Sequence, residues 1–220
     1  MKSIQFKDSQ KSLSVGKILC LGKNYAEHAK EMGSEVPAVP VIFLKPSTAV
    51  ISDGMDIVLP GISKDVHHEV ELVVVIGRTG KHIRASEAFS YVGGYAVGLD
   101  MTLRDIQGEA KRKGLPWSVA KGFDTSAPVS MIVPAAMVPD PHALTISCRV
   151  NGVLRQRSST GKMIFSVPTM IEYMSSLFTL EEGDLLFTGT PEGVGPVVAG
   201  DQIIAELEGY VAITHNVVAG

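Results

Sequence analysis

Eight short apolar runs constrain this chain more than any other feature. They cover residues 17–21, 41–44, 70–76, 92–99, 144–150, 184–188, 202–207 and 210–216. Each has the length of a strand. Only three stretches between them read as helical: 24–32, 102–113 and 167–178. A doubly wound sheet would need a helix after almost every strand, so the pattern predicts an α+β fold on a mixed or antiparallel sheet. Asn151-Gly152 between two apolar runs predicts a hairpin. Glu182-Gly183-Asp184 and Ala199-Gly200-Asp201 read as turns ahead of strands. Thr102, with Asp105 three positions on, is expected to cap the second helix. Ser166 is expected to cap the third, with Pro168 in its first turn and Met170, Ile171, Met174 and Leu177 as a core-facing stripe. Residues 33–40 and 53–66 read as connections.

The chain has 220 residues, which suits one main domain over 17–220 preceded by a short segment, 1–16. A chain this long buries roughly 70% of its unfolded surface and needs no disulfide or structural metal to fold. Cys20 and Cys148 sit in apolar or alternating runs, as small buried hydrophobes do, and fit a reducing compartment. The net charge of −3 offers no general attraction to nucleic acid or to an anionic membrane surface. No aliphatic stretch approaches the length of a membrane span. The start, MKSIQFKDSQKS, lacks the apolar core of a secretory signal. The expected compartment is the cytoplasm, or the mitochondrial matrix in a eukaryote.

The acidic residues carry the chemistry. In HHEVELVVVIG (67–77), Glu69 and Glu71 are two positions apart, so on a strand they share one face. Such a pair can face water, pair with basic side chains or share a cation, because two close carboxylates repel unless a proton or metal intervenes. Asp100 ends the glycine-rich run Val92–Leu99, where it can cap a helix or complete a site. Three carboxylates without a nearby thiol make a hard, oxygen-rich set suited to Mg²⁺ or Mn²⁺, with Ca²⁺ as another candidate. His67 shares the glutamate side and reads as a neighbour of the ligands. His82, His142 and His215 read as structural.

The segments GKNYAEHAKEMG (22–33), FLKPSTAV (43–50), HHEVELVVVIG (67–77), YVGGYAVGLDMTLRDIQ (91–107), KGLPWSVAKGFD (113–124), MIFSVPTMIEYMS (163–175) and LFTGTPEGVGP (186–196) resemble the fumarylacetoacetate hydrolase family. The likeness is to its short members. It implies a mixed β-sheet roll of the family's C-terminal-domain type with a few peripheral helices, and a homodimer. It implies that Glu69, Glu71 and Asp100 bind one Mg²⁺ or Mn²⁺. It implies that His28 and Glu31, three apart on the first helix, form a catalytic dyad. Lys121 would bind substrate and stabilise charge, while Arg104, Gln107 and Thr190 would bind substrate. The glycine-rich loop around Thr190 lacks the Gly-Lys-Ser/Thr of a phosphate loop, and its N–H groups could hold a carboxylate. Lys111-Arg112-Lys113 reads as an exposed cluster.

The reaction the resemblance implies is cleavage of an acylpyruvate by water to a carboxylate and pyruvate, through a metal-stabilised enolate. Decarboxylation of oxaloacetate is the accompanying activity. Oxaloacetate tautomerisation and the isomerisation or decarboxylation of hydroxymuconate-type ring-fission products are the alternatives, and a non-catalytic metal-binding scaffold is the remote one. The substrate is in every enzymatic case a small 2-oxo acid.

Overall fold

A computed structural model describes residues 2–33 and 35–220. Met1 of the N-terminal segment and Ser34 of the 33–40 connection lie outside the described residues. The fold is the expected α+β type, a mixed roll of strands with few helices.

The central sheet has six strands in the spatial order 133–134, 92–99, 70–76, 185–187, 18–22, 41–45. All neighbours are antiparallel except Leu185–Phe187 against Ile18–Gly22, which run parallel. The Val70–Ile76 strand is buried along its whole length. Its alternate residues serve two separate cores. Val70, Leu72, Val74 and Ile76 join the larger cluster, whereas Val73 and Val75 join the smaller one with Cys20, Ala96 and Phe187. A sheet covered on both faces explains why this run reads as continuously apolar instead of alternating.

A five-stranded sheet, ordered 153–159, 145–150, 202–207, 211–219, 57–59, packs beside it. Asn151 and Gly152 turn its first hairpin at φ 51° and 77°, both in the left-handed region that a tight two-residue turn requires. Ile57–Leu59 adds a parallel edge strand, so the 53–66 segment is not loop throughout. The 1–16 segment forms a small hairpin, Ser3–Gln5 with Ser12–Ser14, whose Ile4 and Leu13 enter the smaller core.

Among the described residues four α-helices stand around the sheets: α1 (Ala26–Glu31), α2 (Arg104–Lys113), α3 (Ser118–Lys121) and α4 (Val167–Leu177). In α4, Ser166 Oγ accepts the Thr169 N–H at 3.4 Å, and Met170, Ile171 and Met174 are buried as the stripe predicts. Leu177 departs from that stripe and is 55% exposed, because α4 ends there and the chain leaves the core. Thr102 does not cap α2. It lies in a two-residue strand with Leu103, antiparallel to Val66–His68, and the helix begins only at Arg104. Gly114 closes α2 at φ 66°, a left-handed ending that glycine adopts without cost.

Candidate metal centre

The register of two strands builds the acidic cluster. Glu71 pairs with Gly98 and Val70 with Leu99, so the next residue, Asp100, emerges beside the glutamates. The Asp100 N–H donates to the Glu69 carbonyl at 2.8 Å and fixes this corner. One carboxylate oxygen each from Glu69, Glu71 and Asp100 lies within 4.8 Å of the others, and all three residues are buried. An octahedral Mg²⁺ with oxygens at about 2.1 Å spans roughly 3–4 Å between ligand atoms, so the trio is of the size and hardness such an ion takes. Asp100 Oδ1 supports that fit: it is buried and accepts no hydrogen bond among the described residues, although Lys45 Nζ lies 2.8 Å away as an ion pair.

Cations surround the carboxylates. Lys121 Nζ donates to Glu69 Oε2 at 2.7 Å, to Asp100 Oδ2 at 2.6 Å and to the Thr102 hydroxyl at 2.6 Å. Arg104 donates to Glu69 Oε1 and, at 2.8 Å, to Gln107 Oε1. Of the readings open to Glu69, pairing with basic side chains is met directly, inside an acidic cluster of the size a shared cation takes. Lys45, buried under the site, also donates to backbone carbonyls of Met101, Lys121 and Ser126. The charges separate the two glutamates. Burial alone would raise Glu69, but Lys121 and Arg104 hold its carboxyl well below the usual range. Burial, Asp100 and Glu69 together push Glu71 well above it. Burial would lower Lys121, but Asp100 and Glu69 raise it.

The glycine-rich loop serves the site with its backbone. The Gly189 N–H donates to Glu71 Oε2 at 2.7 Å. The Gly193 N–H reaches both oxygens of Glu31, at 3.1 and 3.3 Å. Both glycines sit at positive φ, 95° and 93°, and a Cβ there would lie 2.7 Å from Asn24 Cβ and 2.2 Å from the Arg155 carbonyl oxygen. The loop thus holds carboxylates, as its composition suggests, but they are the protein's own. Thr190 lines the cleft, and its hydroxyl donates to the Val70 carbonyl and accepts from Gln156 Nε2.

On α1, His28 is buried and its Nδ1 lies 3.2 Å from Glu31 Oε2. A carboxylate only accepts, so Nδ1 is the donor, and in the neutral imidazole this leaves the Nε2 lone pair free. His28, Glu69, Glu71, Asp100, Arg104, Gln107, Lys121 and Thr190 line one cleft together with Phe43, Trp117, Lys23 and Lys111. The expected site residues are brought together there, with Glu31 standing behind His28. His67 bonds Asp65 at 2.9 Å instead of a glutamate, and His68 bonds Gln156 at 3.0 Å.

Sequence reasoning missed four contributors. Lys45 and Thr102 are single polar residues within or beside apolar strands, Gln156 is one of several polar residues on the Val153–Ser159 strand, and Asn24 is a buried amide that bonds Phe165 and Thr188. Lys45 had a usable signal, a lysine closing an apolar run directly before Pro46.

The model of the fumarylacetoacetate hydrolase C-terminal domain matches residues 17–218. The chain belongs to the fumarylacetoacetate hydrolase family. Within that family it is 52% identical over 200 residues to "Oxaloacetate tautomerase FAHD1, mitochondrial" of Homo sapiens, across 91% of this chain and 90% of the human one. A fumarylpyruvate hydrolase from Pseudomonas aeruginosa, solved in complex with Mn²⁺ and pyruvate, superposes with a TM-score of 0.95 at 40% identity, over 100% of this chain and 96% of that chain. A 5-carboxymethyl-2-hydroxymuconate delta-isomerase from Mycobacterium smegmatis superposes with a TM-score of 0.85 at 38% identity, over 94% and 78%. The family likeness thus joins hydrolases, isomerases and a tautomerase. It also agrees with the divalent-metal chemistry of the buried acidic trio. Among the described residues no helix is long and apolar enough to cross a membrane.

Proposed function

We propose that this chain is a Mg²⁺- or Mn²⁺-dependent enzyme of small 2-oxo acids, with keto–enol proton transfer in oxaloacetate as its first reaction and C–C hydrolysis of acylpyruvates as its second. The observation that carries the reading is one cleft holding both the His28–Glu31 dyad and the Glu69, Glu71, Asp100 trio. The 52% identity to a protein named as an oxaloacetate tautomerase supports the first reaction. The likeness to a fumarylpyruvate hydrolase supports the second.

Glu69, Glu71 and Asp100 would hold the ion, which when bound supplies a Lewis acid that polarises the 2-oxo group. His28 Nε2 takes the proton from C3 of oxaloacetate and returns it to oxygen, while Glu31 stabilises the imidazolium. Glu31 is held for that task by the Gly193 N–H. Lys121, already on Glu69 and Asp100, adds positive charge where the enolate oxygen develops. Arg104 and Gln107 offer a fork of donors at the cleft wall for a substrate carboxylate. With an acylpyruvate, His28 deprotonates water and the hydroxide adds to the distal carbonyl. The neighbouring C–C bond then breaks, and its electron pair forms the pyruvate enolate. Protonation at carbon by the imidazolium gives pyruvate and a free acid. Loss of CO₂ from oxaloacetate would give the same enolate without a nucleophile.

The homodimer is part of this proposal, and light scattering during size exclusion tests it. For the chemistry, the test is a His28→Ala variant assayed on oxaloacetate and on acetylpyruvate, with and without chelator. Both activities of the native enzyme are expected to need the ion, and both are expected to collapse in the variant. Tautomerisation by His28→Ala at the native rate would remove the dyad from the mechanism.

A further inference from the structure

Glu69 and Asp100 have their cationic partners in Lys121, Arg104 and Lys45, while Glu71 accepts the Gly189 N–H. Two more lysines line the same cleft. Among the described residues neither Lys111 nor Lys23 lies within ion-pair or hydrogen-bond reach of a carboxylate. Lys111 sits on the last turns of α2, and its ammonium rests over the Trp117 ring, 5.1 Å from the centroid. Trp117 in turn packs on Phe43 with centroids 5.7 Å apart, which makes an aromatic wall along the cleft. Lys23 holds its backbone at φ 61°, an uncommon conformation for a side-chain-bearing residue, directly after the Ile18–Gly22 strand. Strain of that kind persists where the surroundings enforce it, often beside ligands. Partial loss of water around the Lys111 ammonium, then the charges of Arg104 and Lys121, hold its pKa below the ordinary lysine range, with Glu69 opposing them and Lys23 adding weakly. Lys111 and Lys23 thus stand in the cleft lining with no carboxylate in contact, and two such ammonium groups are open to an anion from outside.

We propose that Lys111, with Lys23 beside it, binds the distal carboxylate of a dicarboxylic 2-oxo acid, so that the cleft selects dianionic substrates over monoanionic ones. This rests on the 2-oxo-acid reading of the metal centre. The 2-oxo end would occupy the acidic trio, and the far carboxylate would meet the two lysines along the aromatic wall. The wall accepts the intervening carbons, and the ammonium groups supply charge-assisted hydrogen bonds at the far end. Lys111 and Lys23 are therefore specificity residues, separate from the dyad that moves the proton.

Trp117 is the only tryptophan in the chain, and it touches Lys111, so its fluorescence reports ligand arrival. The Mg²⁺-loaded enzyme is titrated with 2-oxoglutarate and with 2-oxopentanoate, which share a five-carbon skeleton and differ in the distal carboxylate. The native enzyme is expected to favour the diacid by about tenfold or more, the scale of one charged hydrogen bond. In Lys111→Met and Lys23→Gln the ratio of the two dissociation constants is expected to fall below about threefold, and Lys111→Arg is expected to keep most of it. A native ratio near one, or a native ratio retained by both neutral variants, overturns the proposal. Pyruvate binding with and without Mg²⁺ tests the reading beneath it. Ion-dependent pyruvate binding with a diacid ratio near one removes only the lysine assignment. Ion-independent pyruvate binding removes the 2-oxo-acid reading itself.

Discussion

Glu69 and Glu71 are two residues apart, and their surroundings drive them in opposite directions. Lys121 and Arg104 keep Glu69 ionised, whereas burial and the charges of Asp100 and Glu69 favour the proton on Glu71. A divalent ion would relieve Glu71 most, because Gly189 N–H and distant Lys121 are its weaker compensations. Glu71→Gln keeps the volume and the Gly189 contact as an acceptor but removes the charge. Mn²⁺ affinity, measured by calorimetric titration, is expected to fall by more than the roughly 10–100-fold typical of losing an outer partner of a ligand. The dyad gives a second expectation. His28→Ala removes the proton carrier and should cost about 10²–10⁴ in kcat with oxaloacetate. Glu31→Gln should cost less, since the imidazole keeps an acceptor but loses the charge that stabilises its protonated form. Steady-state rates across pH check both.

At the scale of the element, Gly98 decides how closely the central strands approach the site. A Cβ there would lie 2.8 Å from Phe187 Cε1 and 2.8 Å from Val73 Cγ2, inside the smaller core. Gly98→Ala is expected to destabilise the fold by about 1–3 kcal/mol in urea unfolding, the usual cost of overpacking. The strands of this sheet were legible because both faces are buried and the residues are uniformly apolar. The Val70–Ile76 and Val92–Leu99 limits coincide with the apolar runs to the residue. Strands of two or three residues, such as Thr102–Leu103 and Val66–His68, carry no periodicity and were hidden. The polar stretch from Arg155 was unreadable for another reason. It lies on the edge strand Val153–Ser159, where Gln156 and Ser158 turn inward and Arg155 and Arg157 outward. Its inward Gln156 bonds His68, the Val70 N–H and Thr190, which a chain of polar letters does not reveal. The carboxylate trio was legible from strand parity plus a third acid at a strand end. In its cationic collar Lys121 and Arg104 came from the family resemblance alone and Lys45 was missed, because lysine spacing in sequence says little about which lysines fold inward.

For the whole molecule, two cores share one central sheet, and the site opens at its edge near the family's motifs. Among the histidines outside the cleft, His215 gives a pH expectation. His215 is buried, donates Nδ1–H to the Met55 carbonyl at 2.7 Å, and burial lowers its pKa from 6.5. Between that lowered value and 6.5 the unfolded chain binds more protons than the folded one. The contribution of His215 to stability should therefore be level above pH 6.5 and decline as the pH falls below it. Melting temperatures across that range should show this, with a shallower decline in His215→Gln. The central claim concerns the trio of carboxylates, and anomalous diffraction from crystals grown with Mn²⁺ tests it most directly. Binding by the trio should give a single strong peak about 2 Å from one oxygen each of Glu69, Glu71 and Asp100. A peak elsewhere, or none at these carboxylates under saturating Mn²⁺, would contradict it.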